Sequence, residues 1–217
     1  MFRAAALAVF ASATSAVAHP HIFIDTGIEV IFDADGQATH LRVTWAYDDF
    51  YSMIMLEDRK LDPDFDGVLT TEEEAALSGF DMAWDADYEG DTFVLAGAAQ
   101  APVALGRPSD WTARVEAGRI TSTHLRALAA PVAAGEALVI QVYDPGYYTA
   151  YRIEGRPVLT GQPEGCLAEV FEPDLDAASL ALQAALSEYT ADQSLEQDFP
   201  AVGASFADEV RVTCPGA

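Results

Sequence analysis

Ile22 to Phe32 alternates apolar and polar residues and is rich in β-branched side chains. Asp35-Gly36 follows as a turn, and His40 to Trp45 runs back. That pattern commits the front of the chain to a β-hairpin. A period of two puts every second side chain on one face, so the hairpin needs a second layer to cover its apolar face. Further strand-like runs follow at Thr92–Leu95, Trp111–Val115, Ile120–Leu128 and Leu138–Tyr143, separated by turns rich in Gly, Pro and Ala.

Helical patterns sit outside these runs. Asp49 to Lys60 and Thr71 to Trp84 read as two helices, and Ala177 to Tyr189 as a third with Leu180, Leu182, Ala185 and Leu186 apolar. Glu209 to Thr213 reads as a closing strand. No βαβ rhythm is present, which argues against a nucleotide-binding or two-lobed binding fold. The expected fold is α+β. An antiparallel sheet or β-sandwich core spans residues 19–157 and carries an inserted helix-loop-helix (EF-hand) at 49–84. A small disulfide-closed segment, 158–217, ends the chain.

Residues 1–18 read as a signal peptide. Arg3 is a short positive region, Ala4 to Phe10 is apolar, and Ala16-Val17-Ala18 has the small-residue cleavage pattern. The apolar run falls short of the ~20 residues that span a bilayer. Cleavage after Ala18 predicts a periplasmic protein without a membrane span, beginning His19-Pro20-His21. The net charge of −24 disfavours nucleic acid and anionic lipid as partners and favours cations.

The sharpest motif is Asp62-Pro63-Asp64-Phe65-Asp66-Gly67-Val68-Leu69-Thr70-Thr71-Glu72-Glu73. It fits the twelve-residue calcium loop: Asp62, Asp64 and Asp66 at positions 1, 3 and 5, the Val68 carbonyl at 7, Thr70 at 9 and a bidentate Glu73 at 12. Calcium is a hard cation that takes six to eight oxygens, and alternate residues of a tight loop point inward to supply them. Gly67 permits the sharp turn. A structural ion outside the cytoplasm is expected, rather than a signalling sensor. The acidic run Asp81, Asp85, Asp87, Glu89 and Asp91 reads as a solvated face, and Asp33-Ala34-Asp35-Gly36 as a hairpin turn.

The new N-terminus is a second candidate. The α-amine and imidazole of His19, with His21 two residues on, suit a borderline transition metal: nickel, cobalt, copper or zinc. Pro20 lacks an N–H, so any such site needs further ligands from elsewhere. His40, His124, Asp25, Asp48 and Asp49 are available in the sequence. The alternative is two histidines near a chain end that merely pack or cap. Cys166 and Cys214 are the only cysteines. In an oxidising compartment they pair, and the long loop makes the bridge worth roughly 4 kcal/mol; a thiol metal site is the alternative. Tyr143-Asp144-Pro145-Gly146-Tyr147-Tyr148 reads as a turn whose tyrosines pack. No nucleophile constellation is legible, so no catalytic residue is assigned.

His19-Pro20-His21-Ile22-Phe23-Ile24-Asp25, Trp45 to Tyr51, the Asp62–Glu73 loop, Tyr143-Asp144-Pro145 and the late cysteine pair together resemble the bacterial domain of unknown function 1007. The resemblance spans essentially the whole mature chain. It implies a periplasmic component of an uncharacterised ABC-type transport system, with a membrane metal transporter as partner. Two other functions compete: a calcium-stabilised interaction module without transition metal, and a copper enzyme built on an N-terminal histidine chelate.

Overall fold

The computed structural model describes residues 20–64, 66–189 and 199–215. The leader and His19 lie outside them. Strands β1 (Ile22–Phe32) and β2 (Gln37–Tyr47) form the expected antiparallel hairpin, with Thr26 opposite Trp45 and Ile28 opposite Val43. Asp33 Oδ1 accepts from the backbone N–H of Asp35 and of Gln37 at 3.0 and 2.9 Å, which closes the turn. Ile24, Ile28, Val30 and Phe32 are buried, as are Leu41, Val43, Trp45 and Tyr47, so the alternation delivers one apolar face.

The remaining strands are β3 (Thr92–Ala96), β4 (Ala101–Val103), β5 (Ser109–Glu116), β6 (Arg119–Ala133) and β7 (Leu138–Val142). They are followed by β8 (Thr149–Ile153), β9 (Val158–Thr160), β10 (Leu167–Phe171) and β11 (Glu209–Thr213). One sheet runs β5-β6-β2-β1-β8, and β9 also pairs with β1; the other runs β10-β11-β7-β3-β4. Both β8 and β9 lie parallel to β1. Val94, Ile140, Val142 and Val210 of the second sheet join the residues of the first in one buried cluster. β11 pairs with β7, so the C-terminal segment completes the second sheet. The Cys166–Cys214 disulfide ties the start of β10 to the end of β11.

Two expectations about the fold are overturned. The described residues are mostly β, at 41% strand against 19% helix, rather than α+β. The strands build two sheets, while the helices of the described residues are α1 (Asp49–Arg59), α2 (Thr71–Leu77) and α3 (Leu175–Ser187). Nor does 49–84 fold as an inserted EF-hand. The exiting helix stops at Leu77 instead of continuing to Trp84, and turns follow. Gly79 sits at φ +77° directly under Trp111, where a Cβ would lie 2.7 Å from the indole Nε1. That close approach in a left-handed conformation ends the helix. Trp84 leaves the helical face and packs against His124 and Trp45, its ring centroid 5.4 and 6.2 Å from theirs. On α3 the expected apolar side is incomplete, since Leu180 is exposed and Ala178 is the buried residue.

Candidate metal centre

The acidic loop is fixed at both ends by packing. Leu56 and Leu77 are buried in the core, and Leu61 and Leu69 pack against it. Asp48 caps α1 by accepting from the Tyr51 N–H at 2.8 Å. Lys60 and Asp62 both take positive φ, 58° and 54°, which turns the chain sharply out of the helix. Thr70 and Glu73 form a capping box at the start of α2.

Between these anchors the carboxylates turn inward. Asp62, Asp64 and Asp66 each bring an oxygen within 4.8 Å of the others. The two oxygens of Asp62 accept from the N–H groups of Asp66 and Gly67, each at 3.1 Å. Asp66 Oδ1 accepts from Val68 N–H at 2.8 Å. Gly67 supplies the turn with φ +76°. Glu73 reaches back across the loop: Oε1 accepts from Asp62 N–H at 3.2 Å, and Oε2 accepts from the Thr70 N–H and hydroxyl, both at 2.8 Å. Those Thr70 bonds hold the Glu73 carboxyl below the usual carboxylate range. Asp62 is buried while Asp64 and Asp66 are exposed, so the cluster is a cup open on one side. The donor set is all oxygen, which fits a hard divalent cation.

The described histidines are not gathered. His21 packs at a tilt against Tyr148, centroids 4.7 Å apart, and its backbone N–H donates to the Tyr148 carbonyl at 2.8 Å. His40 Nδ1 lies 3.0 Å from Thr39 Oγ1. His124 is buried in the core. Asp25 is engaged by Arg119 and Arg152, at 2.8 and 3.2 Å, and Asp48 serves the α1 cap and the Phe23 N–H. Among the described residues, only Asp62, Asp64 and Asp66 bring three candidate ligand atoms together.

The run read as a solvated acidic face is in part interior. Asp81 accepts from the Tyr47 hydroxyl at 2.8 Å and from Ser122 at 2.5 Å, and burial pushes its carboxyl up. Asp91 accepts from Tyr88 and Tyr151 at 2.9 and 2.8 Å, and burial raises it to about 6. His124 sits edge-on to Trp45 and Trp84 with neither ring nitrogen hydrogen-bonded. Burial drops its pKa to about 3. The sequence carried a signal for this polar interior. Ile120, Ser122, His124, Arg126 and Leu128 share one parity on β6, so the alternation that buries Ile120 also buries the polar three.

The fold and the loop together define a two-sheet β protein with an oxygen-rich acidic cup formed by Asp62, Asp64 and Asp66. The family profile described as "Protein of unknown function (DUF1007)" matches residues 4–214, and the chain belongs to that family. No curated protein matches the chain. No helix of the described residues is long and apolar enough to cross a membrane.

Proposed function

We propose that the Asp62–Glu73 loop holds one calcium ion and that the protein is an exported, periplasmic accessory of a membrane divalent-metal transporter. The observation that carries the calcium reading is the convergence of Asp62, Asp64 and Asp66 within 4.8 Å, with Glu73 tied to the Asp62 backbone on the other side of the cup. Asp62, Asp64, Asp66, the Val68 carbonyl, Thr70 and Glu73 supply the ligands. The ion neutralises carboxylates that otherwise repel one another, and it locks α1 to α2 over the sheet. Support for export comes from the Ala16-Val17-Ala18 leader pattern and from the Cys166–Cys214 bridge, which suits an oxidising compartment. The transport role is what the sequence resemblance implies, and a surface charge that concentrates cations is consistent with it.

A second reading, a calcium-stabilised interaction module without transition metal, is favoured by the dispersal of His21, His40 and His124. Equilibrium dialysis of the mature chain against calcium tests the shared claim. One ion per chain is expected, lost in Asp64→Ala/Asp66→Ala. Magnesium, which demands a tighter octahedral shell, should compete poorly. Equal uptake by the double variant contradicts the reading.

A further inference from the structure

A cavity of about 590 Å³ has Tyr88, Val94, Val103, Leu105, Arg107 and Arg126 in its lining. Val94 and Val103 belong to β3 and β4 of the second sheet, and Arg126 to β6 of the first. Cavities of this order hold small organic ligands.

The two arginines set its chemistry. Arg126 is only 3% exposed, whereas Arg107 is at the surface. Both guanidinium groups lie over the Trp84 ring, 4.7 and 5.6 Å from its centroid. Backbone carbonyls take part of their hydrogen-bonding capacity. Arg126 Nε donates to Gly106 at 2.5 Å and Nη1 to Glu89 at 3.1 Å. Arg107 Nη1 donates to Asp85 and Tyr88, and Nη2 to Trp84. A guanidinium has five N–H donors, so these bonds leave donors over, Nη2 of Arg126 among them.

Charge is the unbalanced quantity. Arg42, Arg114, Arg119, Arg152 and Arg211 all form ion pairs. Among the described residues, Arg59, Lys60, Arg107, Arg126 and Arg156 form none, and of these only Arg126 is buried, in a chain of net charge −24. Burial lowers the Arg126 pKa to about 10, and the Arg107 charge acts in the same direction, while Tyr88 and Glu89 oppose it. Carbonyl dipoles satisfy geometry but do not cancel two adjacent positive charges, and Glu89, which also lines the cavity, forms no ion pair with either; a buried cation without a paired counter-charge is costly.

We infer that this cavity binds a small monocarboxylate with an apolar body. The carboxylate lies against Arg107 and Arg126, whose planar forks match it, and the apolar part lies against Val94, Val103 and Leu105. A dianion is disfavoured because the field of so acidic a protein opposes its entry. The site uses no residue of the calcium loop, so it stands or falls separately from that reading.

Isothermal titration of the full chain with octanoate, octan-1-ol and octyl phosphate tests it. Octanoate should bind at least about tenfold more tightly than octanol, and more tightly than octyl phosphate. Arg107→Gln should weaken octanoate by about tenfold, roughly 1.4 kcal/mol, and leave octanol unchanged. Arg107 is exposed, so the fold should survive the change, and an unchanged melting temperature checks this. If that variant melts early, Arg126→Lys replaces it: the charge stays, the fork is lost, and octanoate affinity should still fall. Absent octanoate binding, equal binding of octanoate and octanol, tighter octyl phosphate, or unchanged octanoate affinity in the folded variant overturns the inference. Any of these leaves the arginines as staples that tie residues 84–90 to the sheet.

Discussion

The Glu73 carboxylate accepts a hydrogen bond from the backbone N–H of Asp62 at 3.2 Å, across eleven residues of chain. The first and last positions of the acidic loop are therefore joined through the protein's own bonds. The same carboxylate caps α2 through Thr70. One side chain thus serves as helix cap and as the proposed calcium ligand, and the two can be separated by mutation.

Glu73→Gln keeps the capping box, because glutamine is also accepted at that position. In chelator the variant should be close to wild type in stability, while most of the stabilisation by calcium should vanish with the bidentate carboxylate. Glu73→Ala should lose both, and so should melt below wild type even without calcium. Thermal melts of the variants with calcium and with chelator check this. A calcium response in Glu73→Gln equal to wild type removes Glu73 from the site.

Asp91 is 8% exposed and its pKa is raised to about 6 by burial, only partly offset by the hydrogen bonds from Tyr151 and Tyr88. The folded state therefore holds a proton that the unfolded chain, near 3.8, has already lost. Stability from this group is present below about pH 4, falls as pH rises to about 6, and is level above; the full drop is about 3 kcal/mol. Urea melts of Asp91→Asn should show this downward component gone. An identical slope in wild type and variant from pH 4 to 6 contradicts the assignment.

His124 acts with the opposite sign. Its pKa drops from 6.5 to about 3 in the folded state, so the unfolded chain takes up a proton first. The contribution is present above about pH 6.5 and is lost as pH falls toward 3. His124→Leu should remove that acid sensitivity. At neutral pH it should also match or exceed wild-type stability, because two unbonded buried ring nitrogens are replaced by an apolar side chain. A loss of several kcal/mol at neutral pH points instead to a bonded imidazole.

The Cys166–Cys214 bridge closes a separation of 48 residues, for which the chain-entropy model gives roughly 4 kcal/mol. Reduction, or Cys166→Ser with Cys214→Ser, should lower the melting temperature markedly. The loss should be independent of calcium, since the bridge joins β10 and β11 rather than the loop. Calorimetry of oxidised and reduced protein in chelator measures it.

The hairpin was legible because Ile22–Phe32 alternates over its whole length and its turn is local. The pairing of β8 and β9 with β1 was not. Thr149–Ile153 and Val158–Thr160 are short, and parallel pairing to a strand more than a hundred residues earlier leaves no local trace. The convergence of Asp62, Asp64 and Asp66 was legible, since alternate residues of one tight turn point inward. The end of α2 was not, because it depends on the approach of Trp111 to Gly79, a contact with a strand far along the chain. Asp81 and Asp91 read as solvent-exposed because composition conceals their tyrosine partners Tyr47, Tyr88 and Tyr151.

Differential scanning calorimetry with calcium and with chelator, run on wild type beside Asp62→Asn, decides whether the acidic loop binds the ion. An ion that binds only the folded state stabilises it by mass action, by about 2.7 kcal/mol at a hundredfold excess over Kd, and so raises the melting temperature. A calcium-dependent rise in wild type that is absent in Asp62→Asn is the predicted result. The same transition with and without calcium in wild type contradicts it.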